Sequence, residues 1–188
     1  MEINKKSVNK LFLIFLLSHL LIWTLVPSVS NLNLPLDTIE ALTWGNNLQL
    51  GYDKYPPLFP LFTELFFLIF GNQDWAYYLL SQIFVISSFF IIFKLSENFF
   101  NKKIYCLISV LLLEGIYFYN FTTPELNAFL CQFPFLAATA FFGWKSIKTN
   151  NNLNWFLFGI VSGLAALTYY LSFYLLASLG LFFIYVSI

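Results

Sequence analysis

Pro57-Leu58-Phe59-Pro60-Leu61-Phe62-Thr63-Glu64-Leu65-Phe66-Phe67-Leu68-Ile69-Phe70 is apolar apart from Thr63 and Glu64, and a second proline, Pro56, stands directly before it. Whether this stretch crosses a membrane decides the topology of everything after it. A helix needs about 20 mostly apolar residues to cross a bilayer's hydrocarbon. These 14 residues fall short, and the Pro56-Pro57 pair stops a helix from running in from upstream. Charge gives an independent test, because cytoplasmic loops collect Lys and Arg. If residues 57–70 stay at the surface, Lys5, Lys6, Lys10, Lys94, Lys102, Lys103, Lys145 and Lys148 fall inside and only Lys54 falls outside. If they cross, Lys94, Lys102 and Lys103 move outside. The first arrangement satisfies the bias, so residues 57–70 are expected as a juxtamembrane helix lying along, or dipping into, the outer face.

The rest of the chain supplies the spans. Its 188 residues are 60% hydrophobic and 10% charged, with a mean hydropathy of +0.77, against about a quarter charged in a soluble domain. A water-soluble globule is excluded. Nine Lys and no Arg balance nine acidic residues without clustering along any one face, so nucleic-acid binding has no footing. Cys106 and Cys131 lie in apolar runs and form no metal or disulfide pattern. Candidate spans are residues 11–26, 75–93, 104–119, 128–144 and 155–188. The last would reach about 50 Å as one helix, so two spans turning near residues 168–172 are expected. Lys5, Lys6 and Lys10 precede the first segment as in a signal peptide, but no convincing cleavage site follows Val26, and an uncleaved span is expected. Trp23 and Trp75 then fall near the outer interface, and Trp144 and Trp155 near the inner one, as amphipathic indoles prefer. The expected fold is all-α, a polytopic transmembrane bundle of five or six spans with juxtamembrane helices in the first outer loop. It forms a single transmembrane domain over residues 1–188, with no internal repeat.

Most of the ionisable chemistry gathers in two outer loops. Asp37, Glu40, Asp53, Glu64, Asp74 and Glu125 fall outside. Asp37 and Glu40 sit three residues apart in a helical pattern and share a face. An Asp followed three residues later by Glu also approximates a capping box, which would start a helix at Pro35-Leu36-Asp37. Lys54 is a candidate phosphate contact; the plain alternative is a lysine that snorkels or pairs with a neighbour such as Asp53. Glu114 lies within a span, where an ionisable group is costly, and either acts directly or is satisfied by a partner such as Tyr117. Glu125 would favour the positive end of a helix begun by Thr123 or Pro124. His19, alone in the first span with no Asp, Glu or Cys neighbour to make a metal site, reads as a hydrogen-bonded core or cavity histidine.

Together these residues resemble the GT-C glycosyltransferases that use polyprenyl-phosphate-linked sugars, a group including protein O-mannosyltransferases and bacterial aminoarabinose transferases. The resemblance covers about residues 11–175. It rests on Asp37 and Glu40 after a Lys-flanked first span, then Gly51, and Lys54-Tyr55-Pro56-Pro57-Leu58 opening a short helix that ends at Phe70-Gly71. Glu114-Gly115, Tyr119-Asn120 and Thr123-Pro124-Glu125-Leu126-Asn127 follow in the second outer loop. It implies inverting transfer at the outer face of a bilayer, from a polyprenyl-phosphate-linked sugar donor to a lipid or glycan acceptor, in a multi-pass protein of the bacterial cytoplasmic (inner) membrane. Asp37 would be the general base, with Glu40 orienting the acceptor or helping to hold a divalent cation, the one cofactor entertained. Lys54 would offset the phosphate charge, and Glu125 and Asn127 would line the pocket opposite, with Glu114 and Tyr169 as further substrate contacts. Family members commonly carry a basic residue in a Leu-Thr-Lys type stretch of a later span; here the chain reads Leu167-Thr168-Tyr169-Tyr170, and a tyrosine donates a hydrogen bond without charge.

Such enzymes normally continue through further spans. The chain is therefore expected to be an N-terminal portion, a fragment completed by a second chain, or an inactive truncated remnant. A small polytopic transporter or scaffold also matches the hydropathy. Transporters, however, place broken helices and polar groups at mid-membrane in paired halves, whereas here the polar residues favour one face.

Overall fold

The computed structural model describes residues 4–47 and 49–187, so the final Ile188 of the long apolar run lies outside the described residues. Eight α-helices and one 3-10 turn make up the described chain: α1 (Lys5–Ser30), α2 (Leu36–Gly45), α3 (Leu58–Phe70), α4 (Asp74–Ser96), α5 (Lys103–Glu114), the 3-10 turn Tyr117–Tyr119, α6 (Ala128–Thr149), α7 (Asn152–Thr168) and α8 (Ser172–Ser187). The fold is an all-α membrane bundle. Helices α1 and α4 are each long and apolar enough to cross a bilayer.

Side-chain pairing along α1 and α4 settles how the first loop is held. Phe12 stacks on Phe93 at 4.1 Å, His19 meets Gln82 at 3.0 Å, and Asn31 Nδ2 donates to the Tyr78 hydroxyl at 3.2 Å. The two helices are therefore antiparallel, and the segment between them leaves and re-enters the bundle at the same end. Phe62, in the first half of α3, packs on Phe84 (5.3 Å) and Phe135 (6.3 Å), while Phe70 at its end packs on Trp75 (5.1 Å). Phe84 lies about 15 Å down α4 from its start. α3 thus packs its first half on the bundle and ends beside the start of α4, at the end where the loop began, as expected of a segment that does not cross. Gly71, at φ 66°, turns the chain out of α3 and back into α4.

α4 is the central helix, with Tyr77, Tyr78, Leu80, Phe84, Val85, Phe89 and Phe93 buried, whereas α1 shows Leu13, Leu17, Leu21 and Leu25 on an exposed apolar face suited to lipid. The lysines other than Lys54 gather at the end opposite the α1–α4 loop. There Lys94 and Lys103 hold Glu97 at 3.1 and 3.0 Å, and Trp144 packs on Phe99 at 4.7 Å. Gln132 Nε2 donates to the carbonyls of Ala165 (3.4 Å) and Tyr169 (2.6 Å), which fixes α6 antiparallel to α7, and the chain turns at residues 169–171 as expected.

Three expectations are corrected. The first helix outruns residues 11–26, because the Asn4 side chain caps it by accepting from Lys6 N. The third candidate span stops at Glu114 instead of reaching Tyr119, since the chain leaves the helix at Gly115 and Asn120 Nδ2 donates to the Glu114 carbonyl. α6 starts at Ala128 rather than at Thr123 or Pro124, because Asn127 is the cap and accepts from Leu130 N at 2.9 Å. Glu125 is consequently in the loop and not in the first turn of a helix.

Candidate active site

Pro35 precedes α2, and its carbonyl takes the amides of Thr38 and Ile39, so the helix starts where the sequence suggests but without a side-chain cap. The capping-box reading of Asp37 and Glu40 is therefore overturned. Both carboxylates turn to Lys54, whose Nζ donates to Asp37 Oδ1 and Glu40 Oε2 at 2.9 Å each. Three residues along a helix is the spacing that lets one ammonium bridge two carboxylates. The pairing of Lys54 with Asp53 is not what forms. The carboxylates raise the Lys54 pKa well above the ordinary lysine range, with the Glu40 bond the largest cause and the Asp37 bond next. All three side chains remain reachable, 46% exposed at Lys54 and about a third at each acid.

Aromatic rings wall this cluster. Tyr55 is buried, its hydroxyl donates to Asp37 Oδ1 at 3.4 Å, and the Lys54 ammonium lies 5.1 Å from its ring. Burial pushes the Tyr55 hydroxyl above its usual pKa, so it stays a donor at neutral pH. Trp44 packs on Tyr52 and Tyr55, and Tyr169 closes the wall with its ring 5.9 Å from Tyr55. Tyr169 is thus carried to the Lys54 cluster by the α7–α8 turn.

The second loop comes to the same end. Buried Thr38, beside Asp37, donates from Oγ1 to the Leu126 carbonyl at 2.9 Å, and Ser81 donates to the Thr123 carbonyl. Glu125, adjacent to Leu126, is exposed there. Asn127 spends its side-chain oxygen on the α6 cap, leaving its amide nitrogen for any further contact. Glu114 is placed elsewhere: its Oε2 lies 2.9 Å from His19 Nδ1, inside the bundle, and Tyr117 is not its partner. That pairing joins residues far apart in sequence, and no local signal announces it.

Asp37 and Glu40 alone offer few ligands for a divalent ion, which takes six or more oxygens. The Lys54 ammonium holds the position between them. Among the described residues no three His, Cys, Asp or Glu side chains converge on a metal position.

A model of the dolichyl-phosphate-mannose-protein mannosyltransferase family matches residues 54–187. The chain belongs to this family. No curated protein and no solved structure matches it closely. The mannosyltransferase match takes in Lys54, Glu114, Glu125, Asn127 and Tyr169, and begins after Asp37 and Glu40. Membership makes the chain glycosyltransferase-like and implies a lipid-linked sugar donor and an acceptor in a membrane.

Proposed function

We propose that the chain, as a whole enzyme or its N-terminal portion, transfers a sugar from a polyprenyl-phosphate donor to an acceptor hydroxyl at the outer face of a bacterial cytoplasmic membrane. On this reading residues 1–188 form one multi-pass domain, with the lysine-rich end inside and the Asp37–Lys54–Glu40 cluster outside. The observation that carries it is that cluster: two carboxylates and one cation, partly open to water and walled by aromatic rings at the end of the bundle away from the other lysines.

Polyprenyl phosphate is already a good leaving group, so the protein must mainly activate the nucleophile and offset charge. Asp37 takes the proton of the acceptor hydroxyl while that oxygen attacks the anomeric carbon. The bond from that carbon to the phosphate oxygen breaks, its electron pair leaves with the phosphate, and configuration inverts. Lys54 links the two tasks. Against Asp37 and Glu40 it leaves one net negative charge, and a singly charged phosphodiester entering the cluster competes with those carboxylates for its ammonium. As Lys54 turns toward the phosphate, an Asp37 oxygen lone pair is released for the acceptor proton. Tyr55 then keeps its hydrogen bond to Asp37 and holds the carboxylate in place. Glu125 and Asn127 would line the acceptor side of the pocket, and Tyr169 would give the donor a neutral hydrogen bond.

The test is the whole chain in liposomes with a labelled polyprenyl-phosphate sugar and hydroxyl acceptors. Asp37→Asn is expected to keep donor binding and lose transfer by roughly 10² to 10⁴-fold, the usual weight of a positioned base. The absence of both donor binding and Asp37-dependent transfer would defeat the proposal.

A further inference from the structure

His19, Glu114 and Gln82 form a polar chain across three helices. His19 is 3% exposed and Gln82 is fully buried. His19 Nε2 lies 3.0 Å from Gln82 Oε1 on α4, and His19 Nδ1 lies 2.9 Å from Glu114 Oε2 at the end of α5. The imidazole thus meets the glutamine oxygen through Nε2 and faces the carboxylate through Nδ1. The rings of Phe15, Trp23 and Phe89 surround the imidazole at 5.3–6.4 Å. The Glu114 side chain is 28% exposed, but its Oε2 is turned inward against the imidazole, and an enclosed carboxylate oxygen favours a partner, here fixed midway along α1.

The position of this contact in the fold points to its use. α5 has 12 residues, about 18 Å of helix, and ends at Glu114 short of a bilayer's hydrocarbon thickness. Residues 115–127 must finish the journey with little helix, and non-helical backbone at membrane depth has to be held by protein. It is held at successive points. Glu114 is fixed to His19, Asn120 Nδ2 donates to the Glu114 carbonyl, and the Tyr119 ring stacks between Phe89 (5.5 Å) and Phe133 (4.6 Å). Ser81 then holds the Thr123 carbonyl, and Thr38 holds the Leu126 carbonyl against α2.

We infer that His19 and Glu114 are positioning residues: their contact fixes where α5 ends and so sets where the second loop presents Glu125 to the Asp37 cluster. This rests on the sugar-transfer reading for its consequence, but the brace itself can be read without it. The pair acts through the loop, and its removal lets residues 115–127 shift.

The experiment has two arms on the whole chain in liposomes. In the first, Phe121→Cys reports loop position through its labelling rate with an impermeant maleimide; native Cys106 and Cys131 are both fully buried and set a low background. His19→Ala and Glu114→Ala are expected to change that rate at least about threefold. Glu114→Gln, which keeps the length of the side chain and a polar group facing Nδ1, is expected to leave it near the unmodified value. In the second arm, transfer from labelled donor should fall roughly tenfold or more in each alanine variant. The double variant should fall no further than the worse single one, as expected for two groups acting as one contact. Protein yield and monodispersity in detergent separate this from failure to fold, and the Glu114→Gln rescue must hold in both arms. Unchanged labelling in well-folded His19→Ala overturns the inference, and so does a Glu114→Gln variant as impaired as Glu114→Ala. If Asp37→Asn transfers as well as the unmodified chain, the sugar-transfer reading falls while the labelling arm still judges the brace.

Discussion

Gly45 is where α2, which carries Asp37 and Glu40, crosses α3, and its substitution tests how tightly the acidic helix is seated. A Cβ there would lie 2.7 Å from the Pro60 carbonyl oxygen and 2.9 Å from Glu64 Cβ. Both atoms belong to, or sit next to, helix backbone, so the neighbours cannot swing aside and the helices must separate. Overpacking of this kind costs about 1–3 kcal/mol, while alanine's better helix propensity returns up to about 1 kcal/mol. A net loss of about 1–2 kcal/mol remains. For a chain of this size each kcal/mol moves the melting temperature by about 2–4 °C, so Gly45→Ala should melt roughly 2–8 °C lower. Two other glycines calibrate the measurement. Gly51 has nothing within 4 Å of the same virtual atom, so Gly51→Ala should be neutral or gain up to about 1 kcal/mol through the unfolded state. Gly71 has open space but φ 66° and ψ −145°, a region that L side chains hardly enter, so its alanine variant should lose about 1–3 kcal/mol from backbone strain alone. Thermal unfolding in one detergent, followed by circular dichroism and by tryptophan fluorescence, compares all three. A Gly45→Ala variant as stable as Gly51→Ala would contradict a tight α2–α3 crossing.

Two further outcomes follow from the same geometry. Thr38→Val keeps the shape of a buried side chain but strips the Leu126 carbonyl of its donor; the loss should be about 1–3 kcal/mol, read as a lower melting temperature together with faster maleimide labelling of a cysteine placed at Thr122. At the lysine-rich end, burial works to raise the Glu97 pKa, but Lys103 and Lys94 outweigh it and hold the carboxyl below its ordinary value. The stability it contributes is then fully present above the ordinary carboxylate range and fades as pH falls through the lowered value. Melting of Glu97→Gln should therefore lag the unmodified chain at neutral pH and converge with it in acid, and a gap that widens in acid would contradict the assignment.

Much of this architecture was legible from local chemistry. Residues 57–70 were too short and too proline-led to span, and α3 indeed returns to the end it came from. The apolar run after Trp155 was too long for one helix and breaks at residues 169–171, where α7 and α8 meet. What stayed hidden is long-range pairing. Asp37 and Glu40 have the spacing of a cap, and only the arrival of Lys54 from the far side of the loop shows the alternative contact. Glu114 and His19 are each costly alone in a span, and period and hydropathy cannot reveal that each answers the other. The early stop of α5 has partly the same origin: Ile116-Tyr117-Phe118-Tyr119 is apolar enough to continue a helix, and Gly115 together with the folded surroundings ends it.

In the proposed topology both loops open to one compartment. Asn72→Cys, in the turn between α3 and α4, and Glu125→Cys, in the second loop, should both react with an impermeant maleimide in right-side-out membrane vesicles, while Asn151→Cys, in the turn between α6 and α7, should react only in inverted vesicles. Labelling of Asn72→Cys from the cytoplasmic side alone, with Glu125→Cys still reacting from outside, would place the two loops in different compartments and contradict the account.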